Sequence, residues 1–145
     1  MLTESDRGAA FRAEGGISWV CSFELPGVHA SVPTARRYVR TVLGPGACDV
    51  ELAVSELVTN ALEHSESGNG GTIVLKLAGG EERLRAEVTD AGSAVSRPHV
   101  ERAAPDDESG RGLEIVRAVS LDWGIEGTTV WCEFPTARSN REAQE

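Results

Sequence analysis

Within the stretch Glu51–His64, three polar residues recur at every fourth position: Glu56, Asn60 and His64. On a helix this spacing stacks them in one row. A carboxylate, an amide oxygen and an imidazole in a row suit metal binding or proton abstraction. At about 100° per residue, Val50, Ala53, Val54, Leu57, Val58 and Ala61 share one broad apolar arc, and Glu56 and Asn60 fall at its edge beside Ala53. The row therefore lies along the border of a buried face. An ordinary amphipathic helix with polar boundary residues gives the same pattern, so the helix alone reads both ways.

Two further stations carry chemistry. Asp90 stands where a strand pattern ends, with Gly92 two residues on. A carboxylate there can accept a hydrogen bond from an amino group, and the glycine lets a flat ligand approach the backbone. Asp and Gly also make plain turns. Later, Gly110-Arg111-Gly112-Leu113 opens a helix pattern after a long irregular segment. Bared N–H groups and the positive end of a helix dipole suit phosphate, and Arg111 either reaches the same phosphates or lies in solvent. The spacing is neither a Walker loop nor a dinucleotide fingerprint.

The elements that must position these stations are readable from period and punctuation. Ile17 to Leu25 alternates as a strand, with Trp19, Cys21, Phe23 and Leu25 on one face. Ser31 caps a helix with Pro33 in its first turn and a stripe of Val32, Ala35, Val39, Val42 and Leu43. Arg36, Arg37 and Arg40 lie mostly off that stripe, as a solvated face does. Gly44-Pro45-Gly46 breaks the chain before the Glu56 helix. Ile73, Leu75 and Leu77 alternate, Gly79-Gly80 turns, and Leu84, Ala86 and Val88 form the hairpin partner. Ser93 to Ser109 has no period, and a loop of that length in a small domain is more often functional or mobile than idle. A helix with Leu113, Ile115, Val116 and Val119 follows, then a short strand around Trp123 to Ile125 and a last one from Thr128 to Phe134. The expected fold is α/β: a two-layer sandwich with a mixed, mostly antiparallel sheet and helices on one face. Residues 1–16 are expected as a flexible arm, 17–135 as the domain and 136–145 as a frayed tail.

Composition bounds the class. A chain of 145 residues with 40% hydrophobic and 26% charged residues is a single globular domain. No apolar run reaches the length of a membrane span. Cys21, Cys48 and Cys132 are too few and too scattered for a disulfide framework or a zinc site, which suits a reducing cytoplasm. The net charge of -9 argues against direct nucleic-acid binding. It does not exclude an anionic small ligand held by backbone amides and a divalent cation.

The order of the stations carries more than any one of them. Glu56-Leu-Val-Thr-Asn60-Ala-Leu-Glu-His64, then Asp90-Ala-Gly92, then Gly110-Arg-Gly-Leu113, then Thr129-Val-Trp131 resembles the histidine-kinase-like (GHKL, Bergerat-fold) ATPases. Within them the chain is similar to the small anti-sigma-factor serine kinases. The resemblance spans roughly Phe23 to Pro135. It implies Glu56 as general base, Asn60 as magnesium ligand and Asp90 with Gly92 at the adenine. It also implies Gly110, Arg111, Gly112 and Leu113 along the phosphates of ATP or ADP, and Thr129 in the hydrogen-bonded network at the adenine. The segment 93–109 would be a lid. This chain departs from the pattern at three places. Ser93-Ala94 follow the Asp-x-Gly where many relatives carry a second glycine. Thr128 stands where a lysine often precedes the last strand's threonine. The lid is short and carries Asp106, Asp107 and Glu108 just before the phosphate station.

The function this resemblance implies is a cytoplasmic anti-sigma factor that, with Mg-ATP, phosphorylates a serine or threonine on a STAS-type antagonist. Its partners would be a sigma factor and that STAS-domain protein, with no nucleic acid and no membrane, and a homodimer is left open. A second reading keeps the fold as a kinase-inactive interaction module, with nucleotide absent or structural. A third, the detached catalytic half of a histidine kinase, lacks a phosphoacceptor helix in this sequence.

Overall fold

The computed structural model describes residues 17–64, 71–90 and 108–136. Along these the order is β1 (Trp19–Pro26), α1 (Ser31–Leu43), α2 (Cys48–His64), β2 (Thr72–Gly79), β3 (Arg83–Asp90), α3 (Glu108–Val119), β4 (Asp122–Glu126) and β5 (Thr129–Pro135). The expected arm at 1–16, Gly92 and the lid residues 93–107 lie outside the described residues, as do 137–145.

The strands form one sheet in the order β1-β2-β3-β5-β4. Among the described residues every neighbouring pair is antiparallel, so the mostly antiparallel sheet expected is there wholly antiparallel. The chain reverses direction at each element from β1 to β5. The two helices between β1 and β2, and the helix and strand between β3 and β5, therefore return it antiparallel.

One face of the sheet carries the core. Leu25, Ile73, Leu75, Leu77, Ala86 and Cys132 are all 2% exposed or less and meet Ala35, Val39, Ala53, Val54, Leu57, Val58 and Val116 from the helices. Each fully buried Val, Leu or Ile among them contributes roughly 1.5–3 kcal/mol. The apolar arc read on α2 is the buried one. Glu51 on α2 is also buried, because Arg40 of α1 reaches it at 2.8 Å and ties the two helices together. That bond and the Glu51 charge raise the pKa of the exposed Arg40 above its ordinary value. Phe23 and Tyr38 stack with ring centroids 4.2 Å apart, fastening α1 to β1.

The other face carries a polar layer. Arg85, 3% exposed, pairs through Nε with Glu87 Oε2 at 2.9 Å and through Nη1 with its cross-strand partner Glu133 at 3.3 Å. Its Cζ lies 4.3 Å from the centroid of the Trp131 ring. A guanidinium this deeply buried needs such partners, since an unpaired buried charge costs several kcal/mol or so. Trp131 in turn covers Gly124 across the β4–β5 ladder, where a Cβ would meet the ring at 2.7 Å. Trp19 does the same over Gly79 on the core face, at 2.5 Å.

Three local expectations need correction. Ser31 is not the cap of α1: the cap position is Ala30, without a side-chain cap bond, and Ser31 Oγ donates to Pro26 O at 2.6 Å. The hydroxyl is better used closing the β1–α1 turn than at a helix end where Pro33 already removes one N–H. Thr136 does not fray: its N–H donates to Glu82 O at 3.0 Å and its Oγ1 to Glu81 O at 2.6 Å. Finally, α3 begins at Glu108, so Glu108 and Ser109 belong to the helix rather than to a loop. An acidic residue in a first turn is favoured by the helix dipole.

Candidate active site

The polar stations gather at one end of the sandwich. β1, α2 and β3 run toward that end and α1, β2, α3 and β5 run away from it. Pro26 pairs with Thr72, Ile73 with Asp90, and Asp90 N–H donates to Thr128 O at 3.0 Å. The second half of α2, with Glu56 and Asn60, and the first turns of α3 lie toward the same end. A cleft of about 990 Å³ marks the opposite end, with Val42, Asp49, Gly80 and Val119 in its walls. Glu56, Asn60, Asp90 and Gly112 are absent from those walls, so the cleft is separate from the site.

Glu56 and Asn60 are half-buried on α2, as their place at the edge of the apolar arc requires. One turn apart, their Cβ atoms are about 6 Å from each other. Glu56 does not point into solvent. Its Oε2 lies 3.0 Å from where a Cβ on Gly112 would stand, with its own Cβ and Cδ each 3.9 Å from that point. The carboxylate is therefore laid against α3, and the absence of a side chain at Gly112 makes the room. His64 closes α2.

Gly110, Arg111 and Gly112 are helical residues of α3 rather than a loop before it. The first four N–H groups of a helix, counted from its cap, have no intrahelical acceptor, and in α3 these include those of Glu108, Ser109 and Gly110. Gly112 is buried and Leu113 half-buried against the core. The base expected on α2 and one of the glycines expected near phosphate, Gly112, are thus parts of one contact.

The strand register divides the remaining residues. Asp90 stands opposite Ile73, which is fully buried on the helix-bearing face, so Asp90 belongs to that face. Thr129 does not. It pairs with Thr89, their hydroxyls 2.6 Å apart, and alternation puts both on the face away from the helices. The ladder sets Thr128 opposite Asp90 instead, and Thr128 is exposed. Thr128 enters the sequence reading only as a departure from the family pattern, not as a site residue. Counting the β3–β5 register outward from Val88 and Val130 finds it, but that register needs the pairing of strands 40 residues apart.

The donor set can be tested against magnesium. Among the described residues no three His, Cys, Asp or Glu gather as an all-protein metal cage. Magnesium is commonly held by one or two protein oxygens together with substrate phosphates and water. A single half-buried amide oxygen at Asn60, beside one carboxylate, fits that mode.

The chain matches the histidine kinase-like ATPase domain family over residues 26–134. It belongs to that family, and its five-stranded antiparallel sheet with helices packed on it is the α/β fold of these ATPases. Membership implies a nucleotide as ligand. No curated protein matches the chain closely enough to serve as a relative. Among the described residues no helix is long and apolar enough to cross a membrane.

Proposed function

We propose that this protein is an anti-sigma factor and Mg-ATP-dependent serine/threonine kinase acting on a STAS-type antagonist in the cytoplasm. The observation that carries the reading is the contact of Glu56 with Gly112. It brings a candidate proton acceptor against the helix whose first turn is suited to phosphate. Family membership supports the nucleotide; the motif order supports the narrower assignment.

In this reading Asp90 accepts a hydrogen bond from the adenine amino group at the end of β3, with Thr128 opposite it. The first-turn N–H groups of α3 receive phosphate oxygens. Asn60 would hold magnesium, and a bound ion would supply charge stabilisation to the transferring phosphoryl group. Glu56 accepts the proton of the substrate hydroxyl. That oxygen forms a bond to the γ-phosphorus, the bond from phosphorus to the β–γ bridging oxygen breaks, and ADP leaves with its electron pair.

The test is to isolate the protein with its partners from its own cells. The STAS-domain proteins it carries are then incubated with it and Mg-ATP labelled at the γ-phosphate. Label on serine or threonine of such a protein supports the proposal. Stable binding of a sigma factor with no transfer to any antagonist it binds would make the protein a binding module. Failure to bind Mg-ATP at all would remove the nucleotide from its function.

A further inference from the structure

We infer that Gly112 is a positioning residue for the Glu56 carboxylate, an inference that rests on the role proposed above for Glu56. Glycine is a poor helix residue, because it loses more conformational freedom on folding than any other. It is favoured where the backbone takes a positive φ, and within this fold Gly44 and Gly127 do so, at 85° and 59°. Gly112 does not. It lies in the second turn of α3, in a backbone that alanine would adopt at lower cost. What the glycine supplies is space.

That space is taken by a functional group. At Gly79 and Gly124 the missing Cβ makes room for an indole ring, a matter of packing. At Gly112 it makes room for a carboxylate oxygen at 3.0 Å, with the rest of the Glu56 side chain at ordinary contact distance. An added methyl group would push Oε2 away by a few tenths of an ångström. A carboxylate ends a flexible side chain and can give way, so the fold would survive. The base would be displaced relative to the hydroxyl it serves, and proton acceptance depends steeply on such placement.

The contact also separates two reasons for glycine at this position. If the space served the approach of phosphate, a methyl group would weaken nucleotide binding. If it serves Glu56, the methyl group slows transfer and leaves binding nearly intact.

Gly112→Ala decides between them, with Gly46→Ala, whose Cβ would meet nothing within 4 Å, as control. The expected result for Gly112→Ala is a melting temperature unchanged or raised. Calorimetric Kd for Mg-ATP should stay within about twofold, and kcat for transfer should fall by about tenfold or more. In a Glu56→Gln background the same substitution should lower the residual rate no further, since the two act through one group. A fourth readout needs no turnover: the side-chain carboxyl 13C resonance of Glu56, assigned by its loss in Glu56→Gln, should move in Gly112→Ala and stay put in Gly46→Ala. An unmoved resonance overturns the inference. So does a lost ATP affinity with kcat preserved, or a resonance that moves while kcat does not. A wild-type protein that neither binds Mg-ATP nor transfers phosphate would instead sink the proposed function, whatever the resonance does.

Discussion

Glu56 of α2 and Gly112 of α3 fit together as a carboxylate and a notch, with Oε2 3.0 Å from the place of the absent Cβ. The two residues are far apart in sequence and meet because α2 and α3 pack side by side over the sheet. In the proposed function their contact gives the site its arrangement: the assigned proton acceptor on one helix, the backbone assigned to phosphate on the next, and Asp90 at the end of the strand beneath. The account therefore makes separate predictions for binding, for catalysis and for the scaffold.

Asn60 should matter for binding. Removing its amide oxygen in Asn60→Ala takes away the protein ligand assigned to magnesium. Isothermal calorimetry with ATP, with and without magnesium, should show most of the magnesium-dependent gain in affinity lost. The stabilisation by saturating Mg-ATP should shrink correspondingly. Unchanged magnesium dependence would remove Asn60 from the metal.

The two adjacent threonines should behave differently. Thr129→Val breaks the 2.6 Å bond to Thr89 on the face away from the helices, and should cost about 1 kcal/mol of stability with little change in ATP affinity. Thr128→Val should show the reverse, a weaker affinity for ATP in a protein of nearly normal stability. Denaturant unfolding and calorimetry on the two variants check this. An ATP defect confined to Thr129→Val would contradict the register argument.

Gly79→Ala tests the packing of β1 on β2. A Cβ there would stand 2.5 Å from the Trp19 indole, well inside contact distance. The ring or the strand must shift, and overpacking of this kind costs typically about 1–3 kcal/mol. Urea unfolding should show that loss. Stability equal to wild type would mean that Trp19 does not cover Gly79 in solution.

Cys132 predicts a pH dependence. Burial pushes its thiol up from the ordinary 9.0 to about 12. Below pH 9 both folded and unfolded chains keep the proton, so the group is neutral to stability. Above it the unfolded chain releases the proton while the folded chain retains it, and stability falls up to about pH 12, by at most ~1.4 kcal/mol per pH unit. Urea unfolding between pH 8 and 11 should give wild type a steeper decline than Cys132→Ala. Parallel declines would show that Cys132 is not buried as a neutral thiol.

Much of the scaffold was legible because the signals are local. The period of Val50, Ala53, Val54, Leu57 and Val58 marks the buried face of α2, and the alternation of Ile73 to Leu77 and Leu84 to Val88 marks a hairpin. Most of what was not legible has non-local causes. Thr129 and Thr128 cannot be told apart without knowing that β5 pairs with β3, since a shift of one residue reverses the face. The sequence places the start of α3 at Gly110, two residues late, because the segment 93–109 shows no period before it. The buried Arg85 gave no signal at all. Its cross-strand partners Trp131 and Glu133 reach it only when β3 and β5 are in register.

The most direct test of the central claim is Glu56→Gln, assayed for nucleotide binding and phosphate transfer in one preparation. The substitution keeps the shape that fits against Gly112 and removes the charge. A general base acts mainly in the transition state, and losing one typically lowers the rate by on the order of 10² to 10⁴ with ground-state binding nearly intact. The account predicts calorimetric binding of Mg-ATP like that of wild type, and transfer to a STAS-domain substrate reduced on that scale. Transfer as fast as wild type would contradict the assignment of Glu56 as the base.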